Sequence, residues 1–328
     1  MKRITRRQVF VGLGATGAVG AAAFGGLLWK FRPSRLQFGS PAPNPSAAAN
    51  AIVRDYRVPD SDPAALQLAI ARDPDPAAAT EKAIAAMGSL ARFVAKGDVV
   101  AIKPNIGWVR TPIQAGNTNP AVVATLVRLA RAAGAKRVIV IDGSCDDATR
   151  SYEKSGIASA ASDAGAEVLL PKPELYRDTP MRSSLIDSWP MLEPILSANK
   201  IINVPIAKHH SGAGFTGALK NWFGLVGGER GRLHWNLQLT IAELAHFVRP
   251  TLNVIDASRV LLRNGPKGGN LDDVEERNTV LASIDPVAAD AYACTLLGKR
   301  AGDFEAIRMA ASLGVGTADW ASLRHRVL

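Results

Sequence analysis

Five short apolar runs in this chain of 328 residues each stop on a charged residue, and helix-like segments lie between them. Val-Val-Ala-Ile runs into Lys103-Pro104-Asn105, and Val-Ile-Val-Ile into Asp142-Gly143. Ile-Ile-Asn-Val-Pro-Ile-Ala leads to Lys208-His209-His210, Asn-Val-Ile to Asp256, and Leu-Ala-Ser-Ile to Asp285-Pro286. Short apolar runs bounded by turn signals fit buried strands. The intervening segments repeat at helical spacing. Ile84, Met87 and Ala91 share a face of residues 76–94. Val122, Val123, Leu126, Val127 and Ala130 form a stripe behind Asn119-Pro120, an N-cap followed by Pro at the first helical position. Leu237, Ile241, Leu244 and Val248 do the same over 237–248. Further helices are predicted at 157–164 and 286–297, and strands at 99–102, 138–141, 167–170, 200–204, 252–255 and 280–284. Strand–helix alternation with short connections predicts an α/β fold of three layers, a largely parallel sheet with helices on both faces. Residues 171–198 break the pattern and read as an insertion or lid.

In an open parallel sheet, ligands bind outside the carboxyl ends of the strands. Lys103, Asp142, Lys208, Asp256 and Asp285 are therefore expected to line one rim. Plainer structural readings stand beside this one. Asp285 before Pro286 is a good N-cap, and Asp256 before Ala-Ser is another. Asp142-Gly143 is ordinary turn chemistry. Lys103 is harder to dismiss, since a lysine after four apolar strand residues must reach water or an anion.

Chemistry-bearing residues are densest between 208 and 235. Three of the five histidines lie there (His209, His210 and His234), with Lys208, Lys220, Arg230 and Arg232 against the single acid Glu229. Six glycines between 212 and 228 allow a ligand close to the backbone. No Gly-Lys-Ser/Thr occurs, so the stretch is not a P-loop. Three readings remain open. One is an anion site built on Lys208, Lys220 and backbone N–H groups. Another is a metal site using His209 and His234 with a strand-end Asp. The third is a surface loop without chemistry. His209 and His210 do not both face one ion in an extended backbone, because adjacent side chains point apart. Asn264-Gly265-Pro266-Lys267-Gly268-Gly269-Asn270 is a second Gly-rich loop that either closes over a ligand through Lys267 or is a plain turn. Cys145, just past Asp142, stands without a spaced His partner.

Composition enters through the charge. Apolar content of 47% and charged content of 21% mark a core-forming chain, and two cysteines exclude a disulfide scaffold and a Cys-rich metal site. The net charge of +10 invites a polyanion partner. Residues 1–35, however, hold seven Lys/Arg and no acid, which leaves 32 basic and 29 acidic side chains, a net of +3, in the remainder. A body so near neutrality has no global field for nucleic acid, and none is expected as a partner. Thr5-Arg6-Arg7-Gln8-Val9-Phe10, followed by an uncharged Gly/Ala-rich stretch at 9–29, resembles a twin-arginine export signal. Those 21 uncharged residues also suffice for a membrane tether. Residues 1–35 thus read as an export signal or anchor, 36–60 as a Pro/Ala-rich tether, and 61–328 as a single α/β domain. The protein is expected to use the twin-arginine translocase and to face the periplasm, free or membrane-anchored.

Several of these segments together resemble a known family, the domain of unknown function 362. They are Val99-Val-Ala-Ile-Lys103-Pro-Asn105, the Asn119-Pro helix start, Lys208-His209, Thr216-Gly-Ala-Leu-Lys220-Asn221-Trp-Phe-Gly224, His234, Asn264-Gly265-Pro266 and Asp285-Pro-Val-Ala-Ala-Asp290. The likeness covers roughly residues 98–295. It implies a single α/β domain without a settled reaction. Many relatives carry Cys clusters for iron–sulfur centres, and Cys145 with Cys294 alone cannot hold one, so no intrinsic cluster is expected. The expectation is an exported protein that binds or acts on an anionic small molecule. Lys103, Asn105, Lys208, Lys220, Asn221 and Lys267 would hold the anion. His209 and His234 would serve as acid and base, and Asp256 would orient the base. Asp285 with His209 is the candidate pair for a divalent metal. The alternative is a non-catalytic carrier delivering a cofactor or metal to an exported redox partner.

Overall fold

Asn119 and Asp75 mark two helix starts in the computed structural model, which describes residues 51–328: each side chain accepts the backbone N–H two residues on, with Pro next in sequence. Predictions for residues 1–50, the export segment and most of the tether, lie outside the described residues. The chain runs β1 (Arg54–Asp55), β2 (Leu68–Arg72), α1 (Pro76–Ala86), β3 (Val99–Pro104), α2 (Pro120–Ala132) and β4 (Arg137–Val140). Then come α3 (Ala148–Lys154), α4 (Ile157–Asp163), β5 (Glu167–Val168), β6 (Tyr176–Pro180), β7 (Ser188–Leu192) and α5 (Glu193–Leu196). Next are β8 (Lys200–Val204), β9 (Ile206–His210), β10 (Gly214–Thr216), α6 (Leu237–Phe247) and β11 (Val248–Arg249). The chain closes with β12 (Leu252–Leu261), β13 (Val274–Ser283), α7 (Pro286–Ala293), α8 (Glu305–Ser312) and β14 (His325–Val327). Helix α1 stops well before the predicted residue 94. Gly88 at φ 91° and Ser89 at φ 66° turn the chain, and a short 3-10 turn keeps Leu90 and Phe93 in the core.

The main sheet has the order β14-β2-β13-β12-β8-β3-β4-β5, with β9 beside β12 and β10 beside β9. Strands β12, β8, β3, β4 and β5 are parallel. β13 runs antiparallel to both β12 and β2. The sheet is therefore mixed and mostly parallel. Side chains alternate between its two faces, each of which is covered. Val100, Ile102, Val138 and Val140 pack with Ile84 of α1 and Leu126 of α2. Ala101, Ile139 and Ile201 pack on the other face with Leu244 and Phe247 of α6 and Val287 of α7. This is the expected three-layer α/β architecture. Each fully buried Leu, Ile or Phe contributes about 1.5–3 kcal/mol.

Residues 171–198, read as an insertion or lid, contain the antiparallel hairpin β6–β7. Its base is joined to the Gly-rich segment: Leu192 N donates to Leu225 O at 2.9 Å and Gly227 N to Pro190 O at 2.8 Å. Its tip is held by Glu243 of α6, whose carboxylate accepts from Ser183 Oγ, Ser184 Oγ and Leu185 N. The last residues of the expected tether also lie on the body. β1 pairs with β11, and Tyr56 Oη donates to Leu196 O at 2.6 Å.

Candidate functional site

At the carboxyl edge of the parallel strands, Lys103 leaves β3 and Asp142 follows β4. They meet as an ion pair, Nζ to Oδ1 at 2.6 Å, with side chains 0% and 1% exposed. Asp142 Oδ2 accepts Ile106 N at 2.7 Å. Tyr152 Oη lies 2.7 Å from Asp142 N and 2.8 Å from its carbonyl oxygen. Burial pulls Lys103 below the ordinary lysine range, although Asp142 opposes it. Gly224 covers the pair at a distance no side chain tolerates, since a Cβ there would stand 1.8 Å from Asp142 Oδ1. This pair is a buried latch between the sheet edge and the 217–224 turn.

That turn is held by a chain of amides. Asn203 of β8 donates to Asn253 Oδ1 of β12 and to Ala218 O, both at 3.0 Å. Asn221 Nδ2 donates to Asn203 Oδ1 at 2.8 Å and to Lys103 O at 3.1 Å. Asp290, reaching across from α7, accepts Ala218 N at 2.5 Å and Leu219 N at 3.1 Å. Burial pushes its carboxyl up to about 7. Gly217 makes this contact possible, because its Cβ would fall 2.1 Å from Asp290 Oδ1. The turn therefore fixes where Lys220 begins.

Two lysines in this region bond no carboxylate among the described residues. Lys208, 1% exposed, gives hydrogen bonds to the neutral oxygens of Asn105 (Oδ1, 2.9 Å) and Gly116 (carbonyl, 2.6 Å). Burial pushes it down to about 7, against Cys145 and Asp142. Lys220, part-buried, places Nζ 3.6 Å from the centre of the Phe223 ring and makes no hydrogen bond to the described residues. Burial, reinforced by Lys208, Arg230 and Lys103 and opposed by Cys145, pushes it to about 7. Arg230 lies over the 143–144 turn, donating to the carbonyls of Gly143 and Ser144 at 3.0 and 2.5 Å.

The histidines divide by register. In the β9–β10 ladder, Lys208 pairs with Thr216, His209 with Phe215 and His210 with Gly214. His210 therefore shares the face of Lys208, and His209 takes the opposite one. His209 Nδ1 accepts Gly265 N at 3.1 Å, which fastens it to the second Gly-rich loop. His210 Nδ1 accepts Gly212 N and Ala213 N, so its ring proton sits on Nε2. Burial first, then the Lys220 and Lys208 cations, holds His210 down to about 3. His234 Nδ1 lies 3.1 Å from Arg230 O, so it donates there and Nε2 keeps a lone pair. His210 and Arg230 were not among the candidates chosen for chemistry, and Asp290 entered only through the family resemblance, with no role assigned. Only alternation along β9 pointed to His210.

Two expectations need correction. Asp285 follows β13, which runs antiparallel, so it lies at the opposite edge of the sheet. Asn253 pairs with Ser283 and Leu261 with Lys208. The eight residue steps of β12 from Asn253 to Leu261 span roughly 26 Å. Asp285 and His209 therefore cannot share a metal ion. Asp285 instead caps α7 through Val287 N and Ala288 N and accepts Thr317 N. Asp256 is not at a strand end, because β12 continues to Leu261. Its oxygens accept Asn119 N, Ser258 N and Ser258 Oγ, which ties α2 to the sheet and orients no histidine. Among the described residues no group of three or more His, Cys, Asp or Glu is placed to hold a metal. Lys267 pairs with Asp146 at 3.2 Å, and its loop joins the 110–114 segment through Arg110 to Gly268 O and Gln114 to Gly269 O. Cys145 is exposed and Cys294 buried, both as free thiols.

A family model described as a domain of unknown function (DUF362) matches residues 100–295. A thylakoid-associated protein of Synechocystis is 25% identical over 213 residues, 62% of this chain and 64% of that protein. The chain thus spans just under two thirds of that relative's length. Among solved structures, the lactate racemase apoprotein of Thermoanaerobacterium thermosaccharolyticum aligns with a TM-score of 0.39 at 13% identity, over 75% of this chain and 61% of that one. A protein of Thermotoga maritima aligns with a TM-score of 0.38 at 12% identity, over 74% and 60%.

Proposed function

Because the chain belongs to the domain of unknown function 362 family, a membership that fixes no reaction, we propose its function from the site itself: it binds, and acts on, a small anionic molecule at the carboxyl edge of the parallel strands. One observation carries this reading. Lys208 and Lys220 are both desolvated and lie within electrostatic reach of one another and of Arg230, and the nearby carboxylate, Asp142, is spent on Lys103. Burying an uncompensated ammonium costs several kcal/mol, and a bound carboxylate or phosphate would return much of it. His234, with its free Nε2, is the group suited to move a proton. Titration calorimetry of the full chain with oxalate and with inorganic phosphate tests the reading. Binding of at least one is expected, weakened about tenfold or more in Lys208→Met, since charge-assisted hydrogen bonds contribute about 1.5–3 kcal/mol. Absence of heat with both anions, or equal affinity in the variant, would overturn it.

We further propose that residues 1–35 direct export by the twin-arginine route and leave the body beside the membrane. The Arg6-Arg7 pair ahead of an uncharged stretch supports this, as does the thylakoid association of the Synechocystis relative. Substituting Lys for both arginines should hold the protein in the cytoplasm. An unchanged distribution on fractionation would dismiss the proposal.

A further inference from the structure

We propose that Lys220 is a nucleophilic amine that captures a carbonyl group, so that the anion taken by this site is an aldehyde or ketone bearing a carboxylate. The inference rests on the anion reading above and narrows its substrate class.

The backbone at Lys220 is fixed from both sides. Asp290 clamps Ala218 N and Leu219 N, Gly217 has no room for a Cβ, and Asn221 is bonded to Lys103 O and Asn203. The amine so positioned has no hydrogen-bond acceptor among the described residues. Among the described residues its one close partner is the Phe223 ring face, at 3.6 Å. Such a face contributes about 0.5–2 kcal/mol to an ammonium, less than the several kcal/mol that desolvation removes. Three cations, Lys208, Arg230 and Lys103, act on it, and Asp142 is already committed to Lys103 and to Ile106 N. Desolvation and like charge both favour the uncharged amine, whose lone pair is then available. Cys145 acts the other way.

Lys208 does not compete for this role. It is 1% exposed, and two of its protons are committed to Asn105 and Gly116. Lys220 is part-exposed. The division of labour follows: Lys208 and Arg230 attract the carboxylate, and Lys220 meets the carbonyl carbon. The Nζ lone pair forms an N–C bond as the carbonyl π bond opens onto oxygen. That oxygen takes up two protons, one of them shed by Nζ and the other from solvent, and leaves as water. One amine, one carbonyl compound and one proton thus give one iminium and one water, with no oxidant or reductant. His234 lies within electrostatic reach of Lys220, and its Nε2 lone pair can relay the proton from nitrogen to oxygen.

Trapping tests the idea on the full chain. The protein is incubated at pH 7 with glyoxylate and cyanoborohydride, which reduces an iminium to a stable secondary amine, and lysine peptides are followed by mass spectrometry. The exposed Lys96 and Lys136 serve as internal references. An ordinary lysine near pKa 10.4 is neutral at pH 7 in fewer than about one molecule in a thousand. Lys220 should therefore label about tenfold or more faster than the references, and oxalate, which cannot form an imine, should slow it. Labelling of Lys220 no faster than Lys96 and Lys136 overturns the proposal. If calorimetry still shows oxalate binding in that case, the anion reading stands and the imine alone falls. Loss of both retires the site as a whole.

Discussion

Lys103 and Asp142 show at single-residue scale how strongly the site depends on charge pairing. Their 2.6 Å contact is sealed from water, and Gly224 lies against it. Removing one member of such a pair leaves the other buried and uncompensated, at a cost of about 3–5 kcal/mol. Asp142→Asn is therefore expected to lose about that much stability in urea unfolding, because Lys103 keeps its charge without a counterion. A loss below about 1 kcal/mol, the range of an exposed pair, would show that Lys103 is neutral or reached by water. Lys103, Asp142 and Lys208 were legible in the sequence for one reason. Each closes an apolar run toward the carboxyl end of a parallel strand, the end that emerges at the ligand-binding edge. Asn203 and Asn253 were not legible, being single amides inside apolar runs that signal only burial. Their hydrogen bonds to each other and to the 218–221 turn depend on which strands are neighbours, which periodicity does not encode.

Elements decide the rest of the site, and direction matters more than length. Asp285 had the same local signature as Asp142, an apolar run ending in Asp. The antiparallel course of β13 moved it to the far edge. Strand β9 sorts His209 from His210 by register alone. Asp290, mid-helix in α7, acts 72 residues away on the turn that carries Lys220. Its carboxyl rests at about 7 in the folded chain, against about 3.9 in an unfolded one. The folded state therefore holds this proton more tightly than the unfolded state does. The resulting stabilisation is full below about pH 4 and is lost as pH rises through about 7. Asp290→Asn removes this titration while keeping an acceptor for one backbone N–H. Between pH 4 and 7 the wild-type chain should lose stability relative to the variant, by a few kcal/mol at most, as read from unfolding free energies at each pH. Parallel curves would mean that the Ala218 and Leu219 N–H groups hold the carboxylate ionised throughout.

At the scale of the whole molecule, the sequence placed the start of the domain at residue 61, on the strength of a Pro/Ala-rich composition before it. Composition reports what a segment lacks in apolar periodicity, not whether its backbone finds partners. Residues 51–60 find several. Ile52 N donates to Met181 O, Tyr56 N to Arg249 O and Tyr56 Oη to Leu196 O, while Thr251 Oγ1 donates to Tyr56 O. The segment thus joins the β6–β7 region to the amino edge of the sheet, and two of its residues form the parallel pair with β11. Each such hydrogen bond contributes about 1 kcal/mol net, and a buried group left unpaired costs more. Two shortened chains, one beginning at residue 51 and one at residue 61, separate the possibilities. The shorter is expected to be less stable by about 3 kcal/mol or more in urea, with a similar dependence on denaturant concentration because little surface changes. Equal midpoints would place the domain boundary where composition put it. A shorter chain that fails to fold would show that Tyr56 and its neighbours belong to the cooperative unit that carries the site.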